Sequence, residues 1–142
     1  MRKREYLNVQ ILILYIKISS PIEIALRFVE YINEGDAEGL TTLMTEDFIF
    51  IDKAGETTYG RQRWDYFSQY PQYRIHVKHI LTSGDAVAII GKTTDSHVPR
   101  ELEEKEHVLW IAVIRNDLVS QWRIYSDIDE IKKTDESIRD KR

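Results

Sequence analysis

From Tyr73 to Asp127 the chain reads as four long β-strands in immediate succession, and this run limits the fold more than any other feature. Tyr73–Thr82, Ala86–His97, Glu104–Arg115 and Leu118–Asp127 are rich in β-branched and aromatic residues. Ser83-Gly84-Asp85 and Asn116-Asp117 between them are tight-turn signals. Strands joined this closely must pair antiparallel, and at about ten residues each they must twist and coil.

What precedes the meander is mostly helical. Ser20-Pro21-Ile22-Glu23 predicts a helix start, with Ser20 as N-cap, Pro21 in the first turn and Glu23 closing a capping box. Ile22, Ala25, Phe28, Val29 and Ile32 then recur at three-four spacing until Gly35. Asp36 caps a short second helix through Leu40, Leu43 and Met44. Phe48–Asp52 is a strand, and Arg61–Gln69 a third helical stretch with Trp64 and Phe67 facing inward, stopped by Pro71. Helices gathered before a meander imply an α+β fold: helices packed on the concave face of a strongly curved antiparallel sheet, with a funnel between them.

A length of 142 residues fits one domain, expected over residues 20–128. Residues 1–19 form an extension whose apolar run, ILILYIKI, is interrupted by Lys17 and is too short to span a bilayer. Residues 129–142 form a charged tail. The net charge of −4 argues against a nucleic-acid partner. The absence of cysteine removes disulfides and thiolate chemistry, and suits a reducing cytoplasm.

Four pieces at the joints of this order resemble the SnoaL-like group of the nuclear transport factor 2-like superfamily. They are Phe28–Asp36, Glu46–Asp52 with Tyr59-Gly60-Arg61, Thr94–His97, and Gln121–Asp127. The resemblance implies a cone-shaped α+β barrel, often a homodimer through the outer face of its sheet. It leaves function open, because that fold carries isomerases, hydrolases, cyclases and binding modules.

Strand alternation selects the candidate site residues. Phe48, Phe50 and Asp52 share a face; so do Val87, Ile89, Thr93, Asp95 and His97; so do Glu106, Val108, Trp110 and Ala112; so do Val119, Arg123, Tyr125 and Asp127. If these faces line the funnel, carboxylates and an imidazole meet in an apolar cavity, an environment suited to proton transfer. Asp52, Asp127, Asp95 and His97 are the candidate acid–base residues. Phe28, Phe50, Trp64, Phe67, Trp110 and Tyr125 are the candidate ligand wall. Asp52 is similar in position to the general base of ketosteroid isomerases, but Phe28 stands where that family has its tyrosine and Trp110 falls near its protonated aspartic acid. Trp122–Asp127 resembles the last-strand motif of limonene epoxide hydrolase, with Asp127 at its base and Asp95 near its acid, but Thr93 stands where that family has the arginine bridging them.

No metal or cofactor is expected, since His97 and His107 form no ligand pattern, and His107 is expected on the outer face. The run Glu101–Glu106 reads as solvated, and Trp122 with Ile124 as part of a dimer face. Two functions follow. One is acid–base chemistry on a small apolar or mixed-polarity molecule, without membrane or nucleic acid. The other is a non-catalytic dimeric ligand-binding or interaction scaffold. Carboxyl groups in reach of each other within a closed cavity favour the first. An interior filled by Phe28, Phe50, Trp64 and Trp110 favours the second.

Overall fold

The computed structural model describes residues 20–61 and 64–132. Helices α1 (Pro21–Glu34) and α2 (Ala37–Leu43) lead into β1 (Met44–Ile51) and the short β2 (Thr57–Tyr59). A single turn, α3 (Tyr66–Gln69), precedes β3 (Arg74–Ser83) and β4 (Ala86–Thr94). Another turn, α4 (Arg100–Glu103), leads to β5 (Val108–Arg115) and β6 (Leu118–Ser126). The expectations for residues 1–19 and 133–142 lie outside the described residues.

The six strands form one open sheet in the order β2-β1-β6-β5-β4-β3. The meander is antiparallel as expected, but β1 pairs with β6 in parallel, so the sheet is mixed. The reason is topological. The first strand runs beside the last, and the chain between them has crossed the whole sheet.

α1 forms where its periodicity predicts, with Ile24, Ala25, Phe28, Val29 and Ile32 buried. Ser20 stands at its N-cap, yet its side chain makes no cap hydrogen bond, so the expected capping box is not built. Gly35 ends the helix at φ 67°, a left-handed conformation that suits glycine. At α2 the Asp36 carboxylate does accept from the Gly39 N–H, at 2.9 Å.

α1 lies across one face of the sheet. Phe28 is its centrepiece, fully buried, with ring centroids 4.8 Å from Trp122, 5.8 Å from Trp64 and 6.1 Å from Phe48. At the far end of α1, the Asn33 side chain reaches the edge strand. Its Oδ1 accepts from the Ile75 N–H at 2.7 Å, and its Nδ2 donates to the Ile75 carbonyl at 3.0 Å.

Two irregularities set which residues face inward. In β6, Val113 pairs with Gln121 but Ile114 with Val119, leaving Ser120 as an extra residue. Val119 and Trp122 are therefore both buried, although three apart. Trp122 belongs to the monomer's own core and not to an outer dimer face. In β3 the register slips between Val77 and His79, opposite Gly91. Of the expected third helix only Tyr66–Gln69 is helical among the described residues, while Arg61, Trp64 and Asp65 are not and Trp64 packs on Phe28 and Phe50.

Candidate functional site

The ends of β1 and β6 and the start of β5 lie together at one end of the sheet. Phe50 brings its ring to this end, half-buried, with Trp64 5.3 Å away edge-on. Asp52 follows two residues later on the same face and is 7% exposed. Its Oδ1 accepts from the Ala54 N–H at 2.9 Å and the Glu56 N–H at 3.0 Å. The carboxylate thus shapes the turn to β2, as a strand-end aspartate can.

That turn directs Lys53 inward. Its ammonium lies 2.8 Å from Glu106 Oε2, with side-chain exposures of 6% and 1%. The run Glu101–Glu106 is therefore not solvated throughout. Glu106 is buried, since it continues the inward alternation of Val108 and Trp110, and Lys53 makes this possible by neutralising it. Glu103 is buried as well, its Oε2 accepting from the Thr93 hydroxyl at 2.8 Å and from Ser96 N–H at 3.3 Å and hydroxyl. It ties α4 to the end of β4.

The Lys53–Glu106 contact is an ion pair by distance. Neither Glu106 oxygen accepts an aligned hydrogen bond among the described residues, and the buried Trp110 Nε1–H has no acceptor there. Buried polar groups are normally satisfied, and each exception, here also Thr45 Oγ1 and Arg123 Nε, calls for an explanation. Lys53 and Glu106 were not singled out as a pair in the sequence. Glu106 carried a signal in its parity with Val108 and Trp110; Lys53 carried none, since the residue after an inward strand position is expected outward and only the turn brings it in.

The other candidates are placed elsewhere. Beyond the Ser120 bulge the parity of β6 inverts, so Arg123, Tyr125 and Asp127 face outward. Tyr125 is 40% exposed and stacks under the Arg123 guanidinium, 4.6 Å from its ring centroid. Asp127 is exposed and bound to His107: Oδ1 accepts from the His107 N–H at 2.8 Å, and Oδ2 faces the ring Nδ1 at 2.8 Å. Its slight burial would raise the carboxyl, but donation from His107 prevails and holds it below its ordinary range. The apolar cavity expected around Asp127 is not where the residue lies.

Strand alternation also stops at Thr94. Asp95 adopts φ 56° and is exposed. His97 is half-buried, its Nδ1 2.7 Å from the Tyr66 hydroxyl, which also accepts from the His97 backbone N–H at 2.8 Å. Asp95 lines an open surface groove of about 720 Å³ with His76, Lys92 and Arg100. That groove's charges are largely solvated, so the buried Lys53–Glu106 pair is the stronger candidate. Phe67 packs at the rim, 6.2 Å from Trp64. Among the described residues no three His, Asp or Glu side chains are grouped to hold a metal ion, and no helix is long and apolar enough to cross a membrane.

Solved structures of the same shape define the class of fold. A putative SnoaL-like polyketide cyclase from Shewanella putrefaciens superposes with a TM-score of 0.65 at 16% identity, covering 84% of this chain and 86% of its own. A putative ketosteroid isomerase from Kribbella flavida gives 0.61 at 19%, covering 79% and 81%. An NTF2-like protein of unknown function from Cytophaga hutchinsonii gives 0.61 at 13%, covering 79% and 94%. The fold is the cone-like α+β fold of nuclear transport factor 2-like proteins. A family model described as the SnoaL-like domain matches residues 25–122, and the chain belongs to that family. No match to a curated protein was found.

Proposed function

We propose that this chain binds a small, largely apolar molecule and performs acid–base chemistry on it without a cofactor, with the buried Lys53–Glu106 pair as its candidate acid–base group. The observation that carries this reading is the buried Lys53–Glu106 pair, 2.8 Å apart and lacking aligned hydrogen bonds on the carboxylate among the described residues. A fold stabilised for its own sake would do as well with apolar side chains there. Structural relatives described as a putative polyketide cyclase and a putative ketosteroid isomerase support the same class of chemistry. Asp52 holds the turn that presents Lys53. Asp95, His97 and Asp127 stand outside this site.

A second reading has its own support. Phe28 and Trp110 are fully buried and, with Phe50 and Trp64, fill the interior a ligand would otherwise occupy. This favours a scaffold. The outer face of the sheet, with half-exposed Ile90, Leu109 and Ile111, would then carry a homodimer in the cytoplasm.

The test is a thermal-stabilisation screen with small lactones, hydroxy-ketones, steroids and polyketide fragments. A ligand at a hundred times its dissociation constant adds about 2.7 kcal/mol. A compound that stabilises the wild type but not a Trp64→Ala variant supports the ligand site. A protein that is dimeric in solution and stabilised by nothing in the panel supports the scaffold.

A further inference from the structure

Independently of the acid–base reading above, we infer that the open groove at the β3–β4 edge, beside α4, is a binding site for the phosphate monoester of a small polyol. Lys78 and Lys92 take the phosphate, and Asp95 accepts from a hydroxyl of the same molecule.

Three cations and three carboxylates line the groove, together with His76. They are not equally available. Glu103 is 6% exposed and spent within the protein, its Oε2 accepting from the Thr93 hydroxyl and from the N–H and hydroxyl of Ser96. Glu104 Oε1 faces Arg100 Nε at 3.3 Å. His76 Nε2 lies 2.9 Å from the Thr94 hydroxyl. Two ammoniums and one carboxylate remain. Lys92 donates to the Glu104 carbonyl at 2.7 Å, which positions its ammonium without neutralising it. Lys78 and Asp95 are exposed, and neither side chain has a partner among the described residues.

Two backbone irregularities shape the groove. Val77 pairs with Gly91 and His79 with Ile90, so Lys78 is the extra residue of a bulge in β3. Bulges re-aim side chains and gather beside functional sites. At the end of β4, Asp95 takes φ 56°, a left-handed conformation that residues other than glycine adopt sparingly. Glu103 holds the chain there through Ser96, which keeps the Asp95 carboxylate in the groove.

The ligand class follows from which groups are left over. Arg100, whose fork would suit a carboxylate, is engaged by Glu104, whereas lysines act as point charges suited to phosphate. A phosphate monoester carries a charge of about −1.5 to −2 at neutral pH, a match for a pair of ammoniums. Phosphate alone would be repelled by Asp95. A hydroxyl on the same molecule gives that carboxylate a donor to accept from. The groove, of about 720 Å³, has the size of a small-molecule site.

Three probes separate the contributions: glycerol 3-phosphate carries both groups, methyl phosphate the phosphate alone, and glycerol the hydroxyls alone. Each is titrated into the protein and followed by amide NMR at Lys78 and at Lys92, Asp95 and Ser96. Glycerol 3-phosphate is expected to bind with a dissociation constant of about 1 mM or below, at least about threefold more tightly than methyl phosphate. Glycerol is expected to shift nothing. Lys78→Gln with Lys92→Gln should weaken both phosphates about tenfold. Lys78→Gln alone, which breaks no contact among the described residues, should weaken them about threefold and serves if the double variant loses its fold. Asp95→Asn, which tolerates the left-handed backbone, should tighten methyl phosphate and shrink the preference for the polyol.

Binding of none of the probes, shifts confined to residues outside the groove, or phosphate affinity unchanged by the lysine variants would overturn the inference. Equal affinity of the wild type for the two phosphates would overturn the assignment of a polyol and of Asp95 as its acceptor.

Discussion

Replacing Glu106 by leucine removes a carboxylate that is 1% exposed from a lysine ammonium that is 6% exposed. The ammonium then stays buried without the Glu106 counter-charge. Loss of one member of a buried pair costs about 3–5 kcal/mol. For a chain of this size that corresponds to a fall of roughly 10–17 °C in the unfolding midpoint. Adding Lys53→Met removes the stranded charge and fills the space with methylene groups. The double variant is expected within about 1 kcal/mol of the wild type, or above it, because apolar replacement of a buried pair is often neutral or stabilising. Urea unfolding followed by tryptophan fluorescence measures all three proteins, with equal denaturant slopes as the check that the unfolded states compare. A cost below about 1 kcal/mol for Glu106→Leu alone would refute the premise that the pair is desolvated. A double variant as unstable as the single would show that the pair stabilises the fold, and the argument for a functional origin would fall.

Three further outcomes follow from the geometry. A Cβ on Gly91 would stand 2.0 Å from the His76 carbonyl oxygen, a backbone atom with no room to yield, so Gly91→Ala should cost about 3 kcal/mol in urea unfolding; a neutral result would mean that the β3 bulge is misplaced. Asn33→Ala removes both hydrogen bonds to Ile75 and should cost about 2 kcal/mol, with faster amide exchange at Ile75 as the local readout. The Asp127 carboxyl lies below its ordinary 3.8, so its contribution to stability is complete above that value and fades as pH falls through the lower folded value. A carbon-detected titration should place its midpoint below 3.8, and His107→Ala should move it up; an unmoved midpoint would remove His107 as the cause.

The architecture was legible because it follows from local periodicity. The three-four stripe of α1, the Gly35 stop and the turn residues between strands all act within a few positions, and all four long strands formed. The site was less legible because parity counting assumes that strands do not slip. In β4 and β5 it holds, and Val87, Ile89, Val108, Trp110 and Ala112 are all buried. In β6 the single extra residue Ser120 inverts everything after it, sending Tyr125 and Asp127 outward. Glu106 was obscured for a different reason. Within the stretch of charges from Glu101 it looks solvated, and only a long-range contact with Lys53 stabilises it inside.

The Asn33 contact with Ile75 bears on how this protein stays separate from its copies. β3 is the long outer strand of an open sheet, and such a strand can template the next one. Asn33 presents to Ile75 the same acceptor and donor that another peptide unit would present. The helix that closes the core thereby occupies the first place at which a foreign strand would dock. Loss of that amide would weaken the fold and also open a seeding point, and self-association into fibres is the failure to expect of such a variant.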